Sequence, residues 1–215
     1  MKNFLFAVIT ALIATGCGNN KANARQENDG GATSAGGNGS GKAIIIFFSH
    51  AGDNYAVGNV KEGNTKVMAG YIKEFTGADM FEIVAEKSYD MPYDPLTEVA
   101  KEEQRKGELP AYKGNPGDLS QYDTVYIGGP IWWGTYPQVM FTFFKDHDLN
   151  GKTLIPFTTH EGSGLGNSER DLRKICQGAE IIKPMEIKFD SQGGRVLQTA
   201  ENKINDWIAE VKRSL

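Results

Sequence analysis

Cysteine and surplus positive charge are both scarce in this chain, and each scarcity excludes a class of protein. The 215 residues include two cysteines and carry a formal net charge of -4 at pH 7. A nucleic-acid-binding protein normally shows a basic patch, so the acidic balance argues against that class. Cys176 is the only cysteine in the part predicted to fold. An internal disulfide is therefore excluded there, and we expect a buried, unreactive thiol.

The sequence also lacks two motifs by which proteins commonly hold nucleotide phosphates. The pattern G-x-x-x-x-G-K-[ST] of nucleotide triphosphatases is absent. The glycines of HEGSGLG, residues 160–166, are spaced as G-x-G-x-G, and not as the G-x-G-x-x-G of dinucleotide-binding proteins. They also follow the fourth predicted strand, whereas the dinucleotide motif follows the first. We expect these glycines to let backbone groups approach the edge of a planar ligand.

Residues 1–16 are predicted to be a signal peptide. Lys2 precedes the apolar stretch FLFAVITALI, residues 4–13, which is too short to span a bilayer. The stretch ATGC, residues 14–17, resembles a bacterial lipobox, which implies cleavage before Cys17 and lipidation of that cysteine. The alternative is a plain secretory signal with an incidental cysteine. We therefore expect an exported lipoprotein, anchored to a bacterial membrane on the periplasmic or cell-surface side.

Residues 17–41 are predicted to form a flexible tether behind the lipidated cysteine. Residues 18–41 contain no large apolar side chain. Such a segment cannot bury enough surface to offset the entropy lost on ordering. One folded domain is then predicted, over residues 42–215.

Within that domain, strands and helices are predicted to alternate five times. Apolar runs predict strands at residues 43–48, 79–85, 124–129, 153–159 and 179–189. Helical spacing predicts helices at residues 64–77, 94–107, 137–147, 168–178 and 195–215. Pro184 suggests that the last strand lies at an edge or contains a bulge. This alternation predicts an α/β fold with a doubly wound, five-stranded parallel sheet in the order 2-1-3-4-5.

Three loops of unusual composition follow the first, third and fourth predicted strands. They span residues 49–65, 130–137 and 159–168. Those strands are neighbours in the predicted order, and ligands of such sheets bind outside the carboxyl ends of the strands. We therefore expect the three loops to converge on one site.

Each loop offers a different kind of contact. Ser49, Asn64 and Thr65 bring hydroxyls and an amide to the start of the first helix, where the helix dipole favours a phosphate. The alternative is that Asn64 or Thr65 only caps the helix. Trp132 and Trp133 offer indole faces to a flat ring, unless one lies in the core and the other on the surface. With the glycines of the third loop, these features predict a site for a mononucleotide that carries a large aromatic ring.

The three loops resemble those of flavodoxins, most closely the branch with an extended first loop. The resemblance covers about residues 42–190 and rests on FSHAGDNYAVGNVKEGNTK, GGPIWWGTYP and PFTTHEGSGLGNSERDLRKIC. It implies that the domain binds FMN. His50 stands where relatives of this branch often have Arg, and nothing is carried onto residues 190–195.

The resemblance also implies which residues bind the cofactor. The implied phosphate contacts are Ser49, Asn64 and Thr65. The implied contacts beside the isoalloxazine are Pro130, Ile131, Trp132, Trp133 and Gly134, with Trp132 the first choice for stacking and Trp133 the second. The implied contacts at the pyrimidine edge are Thr159, His160, Gly162, Ser163 and Gly164. His160 is expected either to stabilise negative charge on the reduced ring or to bond only to backbone.

Two classes of function stay open. One is a redox protein, either an electron carrier or a small flavin-dependent reductase similar to quinone reductases. In it the flavin performs the chemistry, and the chain supplies neither a catalytic side chain nor a metal. The other is a ligand-binding module that kept the fold and lost the flavin. The expected partners are a redox protein or a small quinone-like acceptor, with no nucleic acid and no membrane contact beyond the lipid.

Overall fold

Five α-helices and ten strands make up the part of the chain that the computed structural model describes, which is residues 41–189, 199 and 201–215. The strands are β1 Ala43–Phe47, β2 Gly52–Asn54, β3 Gly58–Val60, β4 Asp79–Glu82, β5 Val84–Ala85, β6 Tyr112–Lys113, β7 Thr124–Pro130, β8 Thr153–His160, β9 Glu180–Ile181 and β10 Met185–Lys188. The helices are α1 Asn64–Thr76, α2 Tyr93–Lys106, α3 Gln138–Asp146, α4 Ser168–Ile175 and α5 Glu201–Ser214.

Some predictions concern parts of the chain that lie outside these residues. They are the signal peptide, the lipidated Cys17, almost all of the tether, the stretch 190–195 and the start of the last predicted helix. Among the residues that are described, no helix is both long enough and apolar enough to cross a lipid bilayer.

The main sheet is parallel and has the order β4-β1-β7-β8-β10, with β9 paired to the other end of β8. This confirms the predicted order 2-1-3-4-5. Side chains of β1 alternate between two cores, because successive strand residues point to opposite faces. Ile44 and Ile46 pack with residues of α2, α3 and α4, whereas Ile45 and Phe47 pack with residues of α1 and α5. Helices therefore cover both faces, as a continuously apolar strand predicts.

Two predicted strands are each interrupted. The last one is divided into β9 and β10 around residues 182–184, where Lys183 has φ 48 and Pro184 has no N–H to donate. Among the described residues both pieces pair with β8 alone, so this is an edge of the described sheet, as Pro184 predicted. The second predicted strand leaves the sheet after β4, and β5 pairs with β6 in a separate antiparallel ribbon.

The first loop contains regular structure that the sequence did not predict. It contains the antiparallel hairpin β2–β3, in which Gly52 lies opposite Val60. The hairpin is attached to the second helix, because Asp53 Oδ2 accepts a hydrogen bond from the Tyr93 backbone N–H at 2.9 Å. Tyr55, in the hairpin turn, contacts the ring of Tyr93 at a centroid distance of 5.6 Å. The hairpin therefore extends the protein wall beside the carboxyl edge of the sheet.

Cys176 lies directly after α4 and is buried, which confirms that expectation. Burial raises the pKa of its thiol to about 11, so the reactive thiolate is disfavoured.

Candidate functional site

The three loops converge at the carboxyl ends of β1, β7 and β8, where they enclose two adjoining cavities. The larger cavity has a volume of about 470 Å³ and the smaller one about 120 Å³. The larger volume alone falls within the roughly 300–1,000 Å³ that small-ligand sites occupy. Both cavities are lined by Tyr55, Tyr93, Leu96, Ile131, Trp132, His160 and Glu161. All predicted site residues except Ser49 and Gly164 line one cavity or both.

The smaller cavity lies at the N-terminus of α1. Asn64, Thr65 and Thr159 line it, and the Oγ1 atoms of the two threonines are 2.7 Å apart in a buried hydrogen bond. The N-cap of α1 is Gly63, and Ser49 Oγ accepts the Lys66 N–H at 3.0 Å. The Ser49 side chain therefore caps the helix, and the Thr65 hydroxyl is directed to β8.

Gly63 allows the first loop to lie directly against the start of α1. A Cβ atom at this position would come within 2.2 Å of Ser49 Oγ and 2.4 Å of the His50 carbonyl oxygen. Any other residue would therefore push the loop away from the helix and open the smaller cavity.

The second loop contains a tight turn that separates the two tryptophans. Trp132 N–H donates to the Thr135 carbonyl at 2.8 Å, and Thr135 N–H donates back to the Trp132 carbonyl at 3.3 Å. The two central residues, Trp133 and Gly134, have φ angles of 49 and 84, which is the pattern of a type I′ turn. A positive φ is uncommon for a bulky residue, so the contacts of Trp133 must hold it there.

Trp132 and Trp133 consequently have different surroundings. Trp132 makes edge-on contacts with Phe48, His50 and Tyr89, at centroid distances of 5.4, 5.8 and 5.2 Å. Trp133 is 47% exposed and lies on α2. Its Nε1 donates to the Thr97 carbonyl at 2.7 Å, and Lys101 Nζ lies 5.0 Å from its ring centroid. One indole thus packs against the core and the other is on the surface, yet both line the larger cavity.

The glycines of the third loop bring it against the second. Asn167 N–H donates to the Gly134 carbonyl at 2.7 Å. Gly166 has φ 52, and a Cβ atom there would lie 2.6 Å from the same carbonyl oxygen. Gly162 and Ser163 line the larger cavity. Gly164 lines neither cavity, and its carbonyl oxygen accepts a hydrogen bond from Thr158 Oγ1 at 3.0 Å. The glycine pattern therefore serves loop contact as well as access to the cavity.

Two buried histidines face the cavities with ring nitrogens that have no hydrogen-bond partner among the described residues. These atoms are both nitrogens of His160 and Nε2 of His50. The His160 side chain is 6% exposed, and its Nε2 lies 3.9 Å from Glu186 Oε2. Burial lowers the pKa of both imidazoles, and nearby carboxylates oppose that shift only in part. A neutral imidazole offers one donor and one acceptor, and leaving both buried without partners is costly.

Sequence reasoning missed the wall of the larger cavity that faces the loops. Tyr55 of the hairpin, with Tyr93, Leu96, Thr97 and Ala100 of α2, forms this wall. The one available signal was Tyr55, a large aromatic side chain within an otherwise polar, glycine-rich loop. Its 59% exposure leaves it at the mouth of the cavity.

The fold and the site define a doubly wound α/β protein with a ligand cavity where the strand order reverses, between β1 and β7. A sequence profile of flavodoxins matches residues 42–211, which is more than half of the chain. The chain belongs to the flavodoxin family.

Solved structures share this fold. A proposed flavoprotein from Bacteroides uniformis is 28% identical, with 79% of this chain and 98% of that chain covered and a TM-score of 0.62. A second one, from Bacteroides eggerthii, is 28% identical, with coverages of 80% and 98% and a TM-score of 0.60. A Lactobacillus acidophilus flavoprotein, solved in complex with FMN, is 18% identical, with coverages of 78% and 99% and a TM-score of 0.59. No match was found among curated proteins.

Proposed function

We propose that the chain binds FMN across the two adjoining cavities and acts as a redox flavoprotein. The smaller cavity would hold the phosphate, because the N-terminus of α1 adjoins it through Asn64 and Thr65. A helix N-terminus is partially positive and favours a phosphate dianion. The larger cavity would hold the isoalloxazine ring between the second and third loops and the wall formed by the hairpin and α2.

The observation that carries the proposal is that neither ring nitrogen of His160, at the point where the cavities meet, has a hydrogen-bond partner within the part of the chain that the structure describes. The pyrimidine edge of an isoalloxazine presents alternating carbonyl and N–H groups. Such an edge can accept a hydrogen bond from one imidazole nitrogen and donate one to another. The residues present therefore fit a heteroaromatic ligand better than a purely apolar one.

When bound, FMN supplies one- or two-electron transfer. The chain would contribute binding, exclusion of water and charge compensation. Trp132 and Trp133 supply apolar surfaces along the ring site. His160 is neutral in its buried setting, and negative charge developing beside it would raise its pKa and favour a proton on its imidazole.

The chain would pass electrons to a redox protein or to a small quinone-like acceptor, as an electron carrier or as a small flavin-dependent reductase. The exposed Tyr55 lies at the mouth of the larger cavity and offers an aromatic contact to either kind of partner.

A flavin titration of the full chain tests the proposal. We expect the purified protein to be yellow, or to become so with FMN, and to bind one FMN with quenched flavin fluorescence. Riboflavin, which has no phosphate, should bind more weakly. Dithionite should bleach the FMN complex, and reoxidation should restore its colour. A folded chain that binds no flavin would instead support a ligand-binding module that kept the fold.

We also propose that the protein is exported and attached to a bacterial membrane by a lipid on Cys17. The support is the apolar stretch that ends in ATGC, followed by residues 18–41 without a large apolar side chain. Mass spectrometry of the mature protein should find an acylated cysteine at its N-terminus, and Cys17→Ala should leave the protein unprocessed or released from membranes. An intact Met1 followed by an unmodified Cys17 would contradict lipidation.

A further inference from the structure

A carboxylate is buried on the face of α2 that otherwise packs into the core. Leu96, Ala100 and Glu103 follow each other at helical spacing on this face, and Glu103 is only 1% exposed. Leu96 and Ala100 line the larger cavity, and Glu103 lies about one helical turn beyond them. Burying a carboxylate is costly unless it is paired and hydrogen-bonded. The buried position of Glu103 therefore calls for partners that compensate its charge.

Two side chains from the segment before α2 satisfy this carboxylate. Lys87 Nζ lies 2.9 Å from Glu103 Oε1, and the Tyr89 hydroxyl donates to Glu103 Oε2 at 3.0 Å. Tyr89 is itself 6% exposed. Burial and the charge of Glu103 raise the pKa of Tyr89 well above its usual value. The phenol therefore stays protonated and remains a donor to Glu103.

Tyr89 in turn fixes the surroundings of Trp132. Its ring meets the Trp132 ring edge-on, at a centroid distance of 5.2 Å and an angle of 88°. Phe48 touches both rings, 6.0 Å from Tyr89 and 5.4 Å from Trp132. Tyr89 lies in the segment between β5 and α2, outside any helix or strand. Its hydroxyl is thus held by Glu103 while its ring packs against Phe48 and Trp132.

We propose that Glu103 is a positioning residue for the ring site. Acting through the Tyr89 hydroxyl, it holds Trp132 in the orientation that forms one wall of the larger cavity. Glu103 lines neither cavity, so it acts through Trp132 and makes no contact with the ligand. The effect on FMN rests on the function proposed above, whereas the effect on Trp132 orientation does not.

The test uses the full chain labelled with 5-fluorotryptophan, which should give one ¹⁹F signal for each of its three tryptophans. Single Trp→Phe variants assign the signals. Glu103→Gln and Tyr89→Phe should each shift the Trp132 signal in the flavin-free protein. The Trp207 signal should stay in place, because that residue packs in the opposite core. The matched control is Glu102→Gln, at a glutamate of the same helix whose side chain is 46% exposed and pairs with Arg105 at 2.8 Å.

The same variants are then titrated with FMN. Glu103→Gln and Tyr89→Phe should each weaken FMN binding by about three- to tenfold. This is the range expected if Trp132 turns away and its aromatic contact with the flavin ring is lost. The double variant should bind no more weakly than the weaker-binding single variant, because both changes act on one hydrogen bond: Glu103→Gln removes the charge of its acceptor and Tyr89→Phe removes its donor. Glu102→Gln should bind FMN as the unmodified chain does.

The inference is overturned if the Trp132 signal stays in place in folded Glu103→Gln and Tyr89→Phe proteins. It is also overturned if Trp207 shifts as much as Trp132, which would indicate general loosening of the fold. If Glu103→Gln does not fold, Tyr89→Phe, which keeps the ring, decides alone. If the unmodified chain binds no FMN, the proposed function fails, and the flavin-free ¹⁹F spectra still decide whether Glu103 positions Trp132.

Discussion

Thr65 and Thr159 together carry one hydroxyl proton that their mutual hydrogen bond does not use. Their Oγ1 atoms are 2.7 Å apart, and the residues are 2% and 4% exposed. Each hydroxyl has one proton, and only one of the two can lie between the oxygen atoms. Both residues line the smaller cavity, so the second proton is available to a phosphate oxygen whichever threonine is the donor of the pair.

Changing both Thr65 and Thr159 to valine removes both hydroxyls, and so removes the available proton whichever threonine carries it, while nearly preserving the side-chain shapes. A hydrogen bond to a charged group contributes roughly 1.5–3 kcal/mol, so FMN binding should weaken by about ten- to a hundredfold. Riboflavin has no phosphate, and its affinity should change by less than about threefold. Thr65→Ser keeps the hydroxyl and should bind FMN almost as the unmodified chain does.

Flavin fluorescence titrations with FMN and riboflavin measure both affinities for all three proteins. A selective loss for FMN supports a phosphate contact. Equal losses for FMN and riboflavin would refute the reasoning, because the threonine pair would then only join α1 to β8. The quantity compared is the ratio of FMN affinity to riboflavin affinity within each protein. The test therefore does not depend on how tightly the unmodified chain binds FMN.

The sheet could be predicted from the sequence because its strands are strongly apolar. β1 and β7 are buried on both faces and appear as continuous hydrophobic runs, and helical spacing separates them from their neighbours. The hairpin β2–β3 could not be found in this way. Its strands, GDN and GNV, are three residues long and show no apolar alternation. It is attached through Asp53 to the start of a helix 40 residues later, a contact that no local pattern contains.

The convergence of the three loops could also be predicted, because strand order alone brings neighbouring carboxyl ends together. The opposite wall depends instead on how α2 packs, and α2 follows the outermost strand of the sheet on that side. Glu103 gave a partial signal, since it continues the apolar spacing of Leu96 and Ala100. Its partners, Lys87 and Tyr89, lie 16 and 14 residues earlier outside the helix. The sequence pattern shows that the Glu103 carboxylate lies on the apolar face of α2. Only the packed structure shows which groups pair with that carboxylate.

Two further predictions concern the third loop and its histidine. Gly166→Ala places a Cβ atom 2.6 Å from the Gly134 carbonyl at φ 52, so it should lower the free energy of unfolding by about 1–3 kcal/mol in urea denaturation. Gly162→Ala, whose Cβ meets no atom within 4 Å, should change it by less than about 0.5 kcal/mol, and equal effects would contradict the close approach of the two loops. His160 predicts a pH dependence, since burial lowers its folded-state pKa, opposed by Glu186. The unfolded chain then binds more protons at this site, so stability is fully present above the unfolded pKa of about 6.5 and falls as the pH drops toward the folded pKa. The free energy of unfolding of the flavin-free chain, measured from about pH 7.5 to about pH 5.5 (about one unit above and one unit below the unfolded value), should therefore decrease on acidification. His160→Gln keeps a donor and an acceptor but cannot titrate, so it should reduce this slope, leaving the shares of His50 and His147, whose pKa values burial lowers in the same direction. An unchanged slope would mean that water reaches the His160 ring nitrogens in solution and that the imidazole is not kept neutral at the junction of the two cavities.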